Sequence, residues 1–136
     1  MQQNRYDKEP LTAVEAQRLA QEIAFGPIVF QVSRLMLKFG IFKLLADHRN
    51  GRTQEEISKA CGLSSYAAQV LLEASLTIGT VLLREGRYSL AKAGWFLLND
   101  KMVHVNMDFN QDVNYLGMFH LEEALPNGRP EGLKVF

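Results

Sequence analysis

The sequence lacks several features that assign small proteins to a class. It has a single cysteine, Cys61, which excludes an internal disulfide and a multi-cysteine zinc site and is typical of a reducing compartment. Its 15 basic residues balance 15 acidic ones, so the net charge is zero, whereas nucleic-acid-binding modules are usually basic. No apolar run reaches the ~18 residues that span a membrane, and the polar residues 1–10 do not form a secretory signal. We expect a cytoplasmic protein that binds neither nucleic acid nor membrane.

The sequence also offers little material for catalysis. The histidines His48, His104 and His120 share no metal-ligand spacing, and Cys61 has no neighbouring histidine to form a thiolate. No glycine-rich phosphate loop or dinucleotide fingerprint is present. We therefore predict that this chain carries no catalytic residue, no metal ligand and no cofactor-binding residue.

The residue patterns predict a mainly α-helical chain with one β-hairpin. Thr12–Glu15 and Thr53–Glu56 have the spacing of capping boxes, which predicts that helices begin there. Gly26-Pro27 indicates a break and a restart. From residue 28 to 45 apolar side chains then cover most of a helix circumference, which requires burial on more than one side.

The middle of the chain predicts a winged helix-turn-helix. A short helix after Thr53 stops at Gly62, and a second one runs from Leu63-Ser64 to about Ile78. Two apolar-rich runs around Glu85-Gly86 then predict a hairpin. The second helix is expected to bury one face, formed by Ala67, Val70, Leu71, Ala74 and Ile78.

Further helices are predicted after the hairpin. Residues 92–98 indicate one helix, and residues 103–109 alternate as a strand would, although we interpret 103–125 as two helices with an uncertain join. Gly128 and the two flanking prolines of 126–130 are expected to end the structure. The division is therefore a flexible N-terminus over 1–11, a folded domain over 12–125 and a linker over 126–136.

The apolar 28–45 segment is either an ordinary core helix or a dimer interface. Its aromatic and methionine content is typical of interface cores and exceeds what one face can bury, so we favour a two-fold homodimer built largely on the helices of residues 12–45. The candidate interface residues are Phe30, Met36, Leu37 and Phe39.

DNA binding is the first alternative for a winged helix, because its second helix would enter a major groove. Here the polar stripe of that helix carries one acid and no base. The hairpin offers Arg84 and Arg87, but Glu85 lies between them. Since cations supply most of the affinity for phosphates, the pattern disfavours DNA. The stripe consists of Ser65, Gln69, Glu73 and Thr77.

Several segments, in order, resemble the N-terminal domain of small-molecule O-methyltransferases of the plant caffeate and bacterial polyketide type. The similarity covers roughly residues 12–136, and its central motif is the Leu-Lys-Phe-Gly-Ile-Phe run within Leu35–Leu45. The other similar segments are Thr53–Gly62, Gln69–Ile78, Arg87–Leu90, Asn110–Asp112, His120-Leu121 and Ala124–Pro130.

The resemblance implies a dimerisation domain that binds no DNA and supplies a wall of the partner's substrate pocket. It places S-adenosylmethionine and the catalytic base of the parent protein in a Rossmann-like domain that would follow, so that this chain binds no cofactor itself. By resemblance Asn110 is a polar contact to a small-molecule substrate and Phe109 an apolar wall, while the residues alone suit helix surface and core equally well. The sequence departs from the family at three places. Ala91 stands where the family has a threonine cap before the helix after the hairpin, and Phe109 stands where it has a methionine. Met118-Phe119 corresponds to its Trp-Tyr pair, and the segment there is one residue shorter.

Three function classes stay open at this point. The favoured one is a dimerisation and substrate-capping domain of an S-adenosylmethionine-dependent methyltransferase. The alternative is a winged-helix transcriptional regulator. The third is a free-standing ligand-binding or adaptor domain.

Overall fold

The computed structural model describes residues 6–136, which form eight α-helices and one two-stranded antiparallel hairpin. Residues 1–5 of the predicted flexible N-terminus lie outside the described part of the chain. The eight helices and the hairpin of the described residues confirm the predicted mainly helical class with one hairpin. The elements are α1 (Ala13–Ala24), α2 (Gly26–Lys38), α3 (Ile41–Asp47), α4 (Gln54–Cys61), α5 (Ser65–Ile78), β1 (Val81–Arg84), β2 (Arg87–Leu90), α6 (Lys92–Asn99), α7 (Lys101–Phe109) and α8 (Leu121–Asn127).

Both predicted capping boxes are present. The Thr12 hydroxyl accepts a hydrogen bond from the Glu15 amide at 3.2 Å, and the Glu15 carboxylate accepts one from the Thr12 amide at 2.9 Å. Thr53 and Glu56 repeat the two contacts at the same distances. The bond from the backbone of each cap residue lowers the pKa of both glutamates below the ordinary value.

The prediction that residues 28–45 form one continuous helix is wrong, because the structure divides them between α2 and α3. The chain breaks at Gly40, which adopts a left-handed φ of 82° between α2 and α3. Met36, Ile41 and Phe42, on either side of the break, are fully buried in a core shared with α4, α5 and the hairpin. Part of the apolar surplus that was expected to face a partner therefore lies in the core of the chain itself.

The helix-turn-helix and the hairpin follow the prediction closely. Gly62 ends α4 in the left-handed conformation, and α5 begins at the Ser64 cap. In the hairpin Val81 pairs with Leu90 and Arg84 with Arg87. The turn between them uses positive φ at both Glu85 and Gly86, as a type I′ turn requires.

The buried face of α5 differs from the predicted one by about one residue. The structure buries Ala68, Leu71, Leu72 and Ser75, whereas Val70 is 45% exposed. The predicted apolar face differs from the buried one because α5 has small residues on both sides, so the spacing of its apolar residues does not define a single face. The core joins α2–α5 to the hairpin and consists of Met36, Ile41, Phe42, Leu45, Ile57, Ala68, Leu71, Leu72, Val81 and Tyr88.

The C-terminal third is helical but irregular. Residues 103–109, whose apolar residues alternate as in a strand, are helical and form part of α7. A π-helix (Asn110–Asn114) and a 3-10 helix (Gly117–His120) connect α7 to α8. Pro126 lies inside the last turn of α8, which ends at Gly128, and a further 3-10 helix follows at Glu131–Val135. Pro126 therefore does not end the structure, and α8 ends instead at Gly128, which adopts a left-handed conformation. No helix of the described residues is both long and apolar enough to cross a bilayer.

Candidate functional site

Helix α1 presents apolar side chains that the described chain does not cover. None of its residues is buried in the described structure, although its apolar and polar residues segregate to opposite sides. Leu19 and Ile23 lie four residues apart and are 45% and 71% exposed. Such a face is typical of a helix that packs on a partner.

The α1–α2 junction continues this surface into a groove. Phe25 and Ile28 are more than half exposed and form part of an open groove of about 670 Å³ between α1, α2 and α5. Arg18 and Glu22, paired at 3.7 Å, lie at the edge of the groove. An apolar centre within a charged rim is the usual composition of a protein interface. The lining residues are Arg18, Gln21, Glu22, Phe25, Ile28, Val29, Ala74, Thr77 and Ile78.

The structure places the four candidate interface residues in different environments. Met36 is fully buried in the core, so its assignment to the interface is wrong. Leu37 is half-buried against the core, and Phe30 is half-buried with its ring stacked on Tyr115 at 5.4 Å between centroids. Phe39 at the end of α2 is 38% exposed. The uncovered apolar surface thus lies on α1 and the start of α2, upstream of most of the predicted residues.

A second uncovered apolar surface runs along α6, α7 and the segment after them. Its members range from 51% exposed at Trp95 and Phe109 to 91% at Phe119. The sequence showed these side chains but not their exposure, because a helix of mixed composition gives no sign of which side the fold covers. The surface contains Trp95, Phe96, Met102, Val105, Phe109, Leu116, Met118 and Phe119.

The two residues expected to line a substrate pocket are adjacent at the end of α7. Phe109 is its last residue and Asn110 opens the π-helix. The Asn110 amide donates to the Asn106 carbonyl at 2.8 Å, and its oxygen accepts from Asn114 at 3.4 Å. Because π-helical turns often mark functional sites, the location is notable. These bonds use one N–H and one lone pair of the exposed Asn110 amide, which leaves its second N–H and second lone pair for a ligand.

Contacts to α2 fix the position of this π-helix. Gln31 donates to the Gln111 side chain at 2.8 Å, and the Tyr115 hydroxyl donates to the Pro27 carbonyl at 3.1 Å. Together with the Phe30–Tyr115 stack, they join residues that are 80 or more positions apart in the sequence. The sequence held no local signal for this pairing.

The face of α5 that a DNA-binding protein would use is exposed and slightly acidic. Ser65, Gln69, Glu73 and Thr77 all face solvent, and Gln69 donates to Glu73 at 3.0 Å. In the hairpin, Arg87 lies 3.6 Å from Glu56, which offsets its charge. Such a face has little to offer phosphates.

The described residues show no group of three or more metal-ligating side chains close enough to hold an ion. Partial burial raises the pKa of the Cys61 thiol, which disfavours the thiolate needed for nucleophilic chemistry. The one sheet in the described chain is a two-stranded antiparallel hairpin, and the loops that follow strands are not rich in glycine. The described residues therefore do not form the parallel sheet with a glycine-rich turn that binds nucleotide cofactors in Rossmann-like domains.

Comparison with known proteins identifies the family. A family model described as the Dimerisation2-like domain matches residues 17–88, more than half of the chain. The chain belongs to the Dimerisation2-like domain family. The family is an N-terminal dimerisation domain of methyltransferases, which confirms the resemblance found in the sequence. The matched residues of this Dimerisation2-like domain run from α1 to β2 and include the groove.

Relatives of the Dimerisation2-like chain are about three times its length. The L-tyrosine C(3)-methyltransferase of Streptomyces lavendulae is 29% identical over 115 residues, covering 82% of this chain and 31% of the relative. The apo crystal structure of the S-adenosylmethionine-dependent methyltransferase SibL matches with a TM-score of 0.75 and 23% identity, covering 85% of this chain and 34% of that one. A structure described as a pericyclic reaction enzyme gives a TM-score of 0.70 and 16% identity, covering 93% and 31%. These two structures establish the shared fold.

Proposed function

We propose that this chain is the dimerisation and substrate-capping domain of an S-adenosylmethionine-dependent methyltransferase that acts on a small molecule, and that it works as a cytoplasmic homodimer. The observation that carries the proposal is the uncovered apolar surface of α1 and α2 inside the residues matched by the Dimerisation2-like family. No residue of this capped helix is buried in its own described chain, which supports cover from a partner.

The second copy is the simplest source of that cover. A two-fold dimer places identical surfaces against each other, so that one apolar groove with a charged rim is sufficient for both subunits. An intimate pair would bury more than ~2,000 Å² in total, as obligate dimers do. In this arrangement α1 and the groove form the contact, while Phe39 lies at the opposite end of α2 from the groove residues Phe25 and Ile28.

The substrate role is assigned to the end of α7. Phe109 is half exposed next to the Asn110 amide, which gives an apolar wall beside a polar group. In the proposal this wall faces a pocket completed by a catalytic domain, which supplies the S-adenosylmethionine site and the base. In the proposal that catalytic domain transfers the methyl group to an oxygen of the substrate, and this chain takes no part in the transfer itself.

Light scattering over a dilution series tests the dimer. We expect a mass of about twice 15.4 kDa, and a shift towards monomer in Phe25→Asp, because an unpaired charge in a dry interface costs several kcal/mol. Tyr66→Asp is the matched control, since Tyr66 is 75% exposed on α5 and outside the groove. A wild-type monomer at every concentration, or an equal response of both variants, would contradict the proposal.

Two titrations separate the proposal from its alternatives. Calorimetry with S-adenosylmethionine should show no micromolar binding to this chain. Duplex DNA should bind only weakly in physiological salt, and sequence-specific binding near ~10⁻⁸ M would instead establish a transcriptional regulator.

A further inference from the structure

The last residues of the described chain fold back on the helical segment that precedes them. Gly128, with a φ of 61°, reverses the chain after α8, and the 3-10 helix Glu131–Val135 then lies against the 3-10 helix Gly117–His120. This region was expected to be a linker, so its docking needs a physical cause.

The first cause is a backbone contact between two glycines. A Cβ atom added to Gly132 would lie 3.0 Å from the Gly117 carbonyl oxygen, and one added to Gly117 would lie 3.3 Å from that of Gly132. Neither residue is among the glycines with positive φ, so backbone conformation does not demand glycine at either position. Glycine favours this approach at both positions, because a Cβ atom there would make an unusually tight contact that the opposite backbone could relieve only by moving a few tenths of an ångström.

The second cause is a network of charges across the same contact. The Lys134 ammonium lies 2.9 Å from Glu123 and 3.0 Å from Glu131, and the Glu123 carboxylate also accepts from His120 Nδ1 at 2.7 Å. The bond to Lys134 is the main reason why the pKa of Glu123 lies below its ordinary value. Single exposed ion pairs contribute little, but a shared network fixes more geometry than isolated pairs do.

An open groove of about 280 Å³ lies between the two segments. Its lining includes Val113, Met118, Leu121, Leu133 and Phe136. Leu133 and Phe136 are 61% and 75% exposed, so apolar packing adds little here, and the glycine contact and the Lys134–Glu123 ion pair hold the two segments together.

We propose that residues 129–136 are a strap that is locked on residues 113–124, fixing the direction in which the chain leaves this domain. The strap contacts the helical segment that continues from the π-helix, and Asn114 in that segment is hydrogen-bonded to Asn110. Its consequence rests on the proposed function: the strap sets the position of a following catalytic domain relative to the wall formed by Phe109 and Asn110.

Hydrogen exchange on the present chain tests the strap. The amides of Leu133 and Phe136 donate to Pro130 and Leu133, and we expect them to exchange on the order of tenfold more slowly than in an unstructured peptide. Gly132→Ala should remove most of this protection, because its Cβ meets backbone that cannot rotate away. Gly26→Ala is the matched control, since a Cβ there meets nothing within 4 Å.

Lys134→Gln provides a second variant that leaves the backbone contact intact. It should raise the exchange rates of the same two amides several-fold, while a Lys101→Gln control should not change them. Wild-type exchange at the rate of an unstructured peptide, or an unchanged rate in Gly132→Ala, would overturn the proposal. None of these outcomes depends on the oligomeric state, so failure of the strap and failure of the dimer are separate results.

Discussion

Helices α1 and α4 begin in the same way and are stabilised differently. Each opens with a threonine-glutamate capping box with contacts of 3.2 and 2.9 Å. Yet α4 fully buries Ile57 in the core, whereas α1 buries nothing in the described chain. The comparison shows that a cap fixes where a helix starts, while packing decides what keeps it folded.

The same difference distinguishes the α2–β2 region from helix α1 in what stabilises each. The α2–β2 region closes its own core, so its structure follows from contacts within one chain. Helix α1 has 12 residues, close to the length at which isolated helices are marginal. Its persistence therefore depends on the α1–α2 contact and, in the proposed dimer, on a second copy.

Matched truncations of the two isoleucines should give the largest difference. Ile57→Ala should destabilise the fold by about 2–5 kcal/mol, because it leaves a cavity in a close-packed core. Ile23→Ala, at a side chain 71% exposed in the monomer, should leave monomer stability within about 0.5 kcal/mol and weaken self-association instead. Urea unfolding at a concentration that keeps the chain monomeric measures the stability of both variants, and light scattering at higher concentration measures their self-association. Equal losses of monomer stability would remove the distinction between the helices.

Loss of either cap should have a smaller effect. Thr53→Ala should cost about 1 kcal/mol of global stability, since α4 is part of the cooperative core. Thr12→Ala should fray α1 and reduce helical circular dichroism without moving the global unfolding midpoint of the monomer. Serine at each position is the control, because it retains the capping hydroxyl. A drop in the global midpoint in Thr12→Ala would mean that α1 belongs to the core unit.

Local signals account for what could be predicted from the sequence. The capping boxes, the Gly62 stop and the turn at Glu85-Gly86 each involve residues within a few positions of one another, and all were found in the structure. Side-chain chemistry at this range leaves few alternative conformations.

The failures come from contacts between distant residues. Met36 is a predicted interface residue because the apolar side chains of 28–45 exceed what one helix face can bury, but residues distant in sequence, such as Leu72 and Val81, form the core in which it is buried. The Phe30–Tyr115 stack and the Gly117–Gly132 contact have no periodic pattern that would reveal them. At the candidate site, Phe109 and Asn110 were predicted from the resemblance. Phe109 ends α7 and Asn110 begins the π-helix, and their role in substrate binding stays a prediction.

The central claim is that α1 is stabilised from outside its own chain, and hydrogen exchange at two protein concentrations tests it most directly. Amides of α1 should become more protected as concentration rises, while those of α4 should exchange at the same rate at both concentrations. Phe25→Asp should abolish the concentration dependence, and the Tyr66→Asp control should retain it. Protection of α1 that is the same at both concentrations, in a chain that stays monomeric, would show that α1 needs no second copy and would contradict this account.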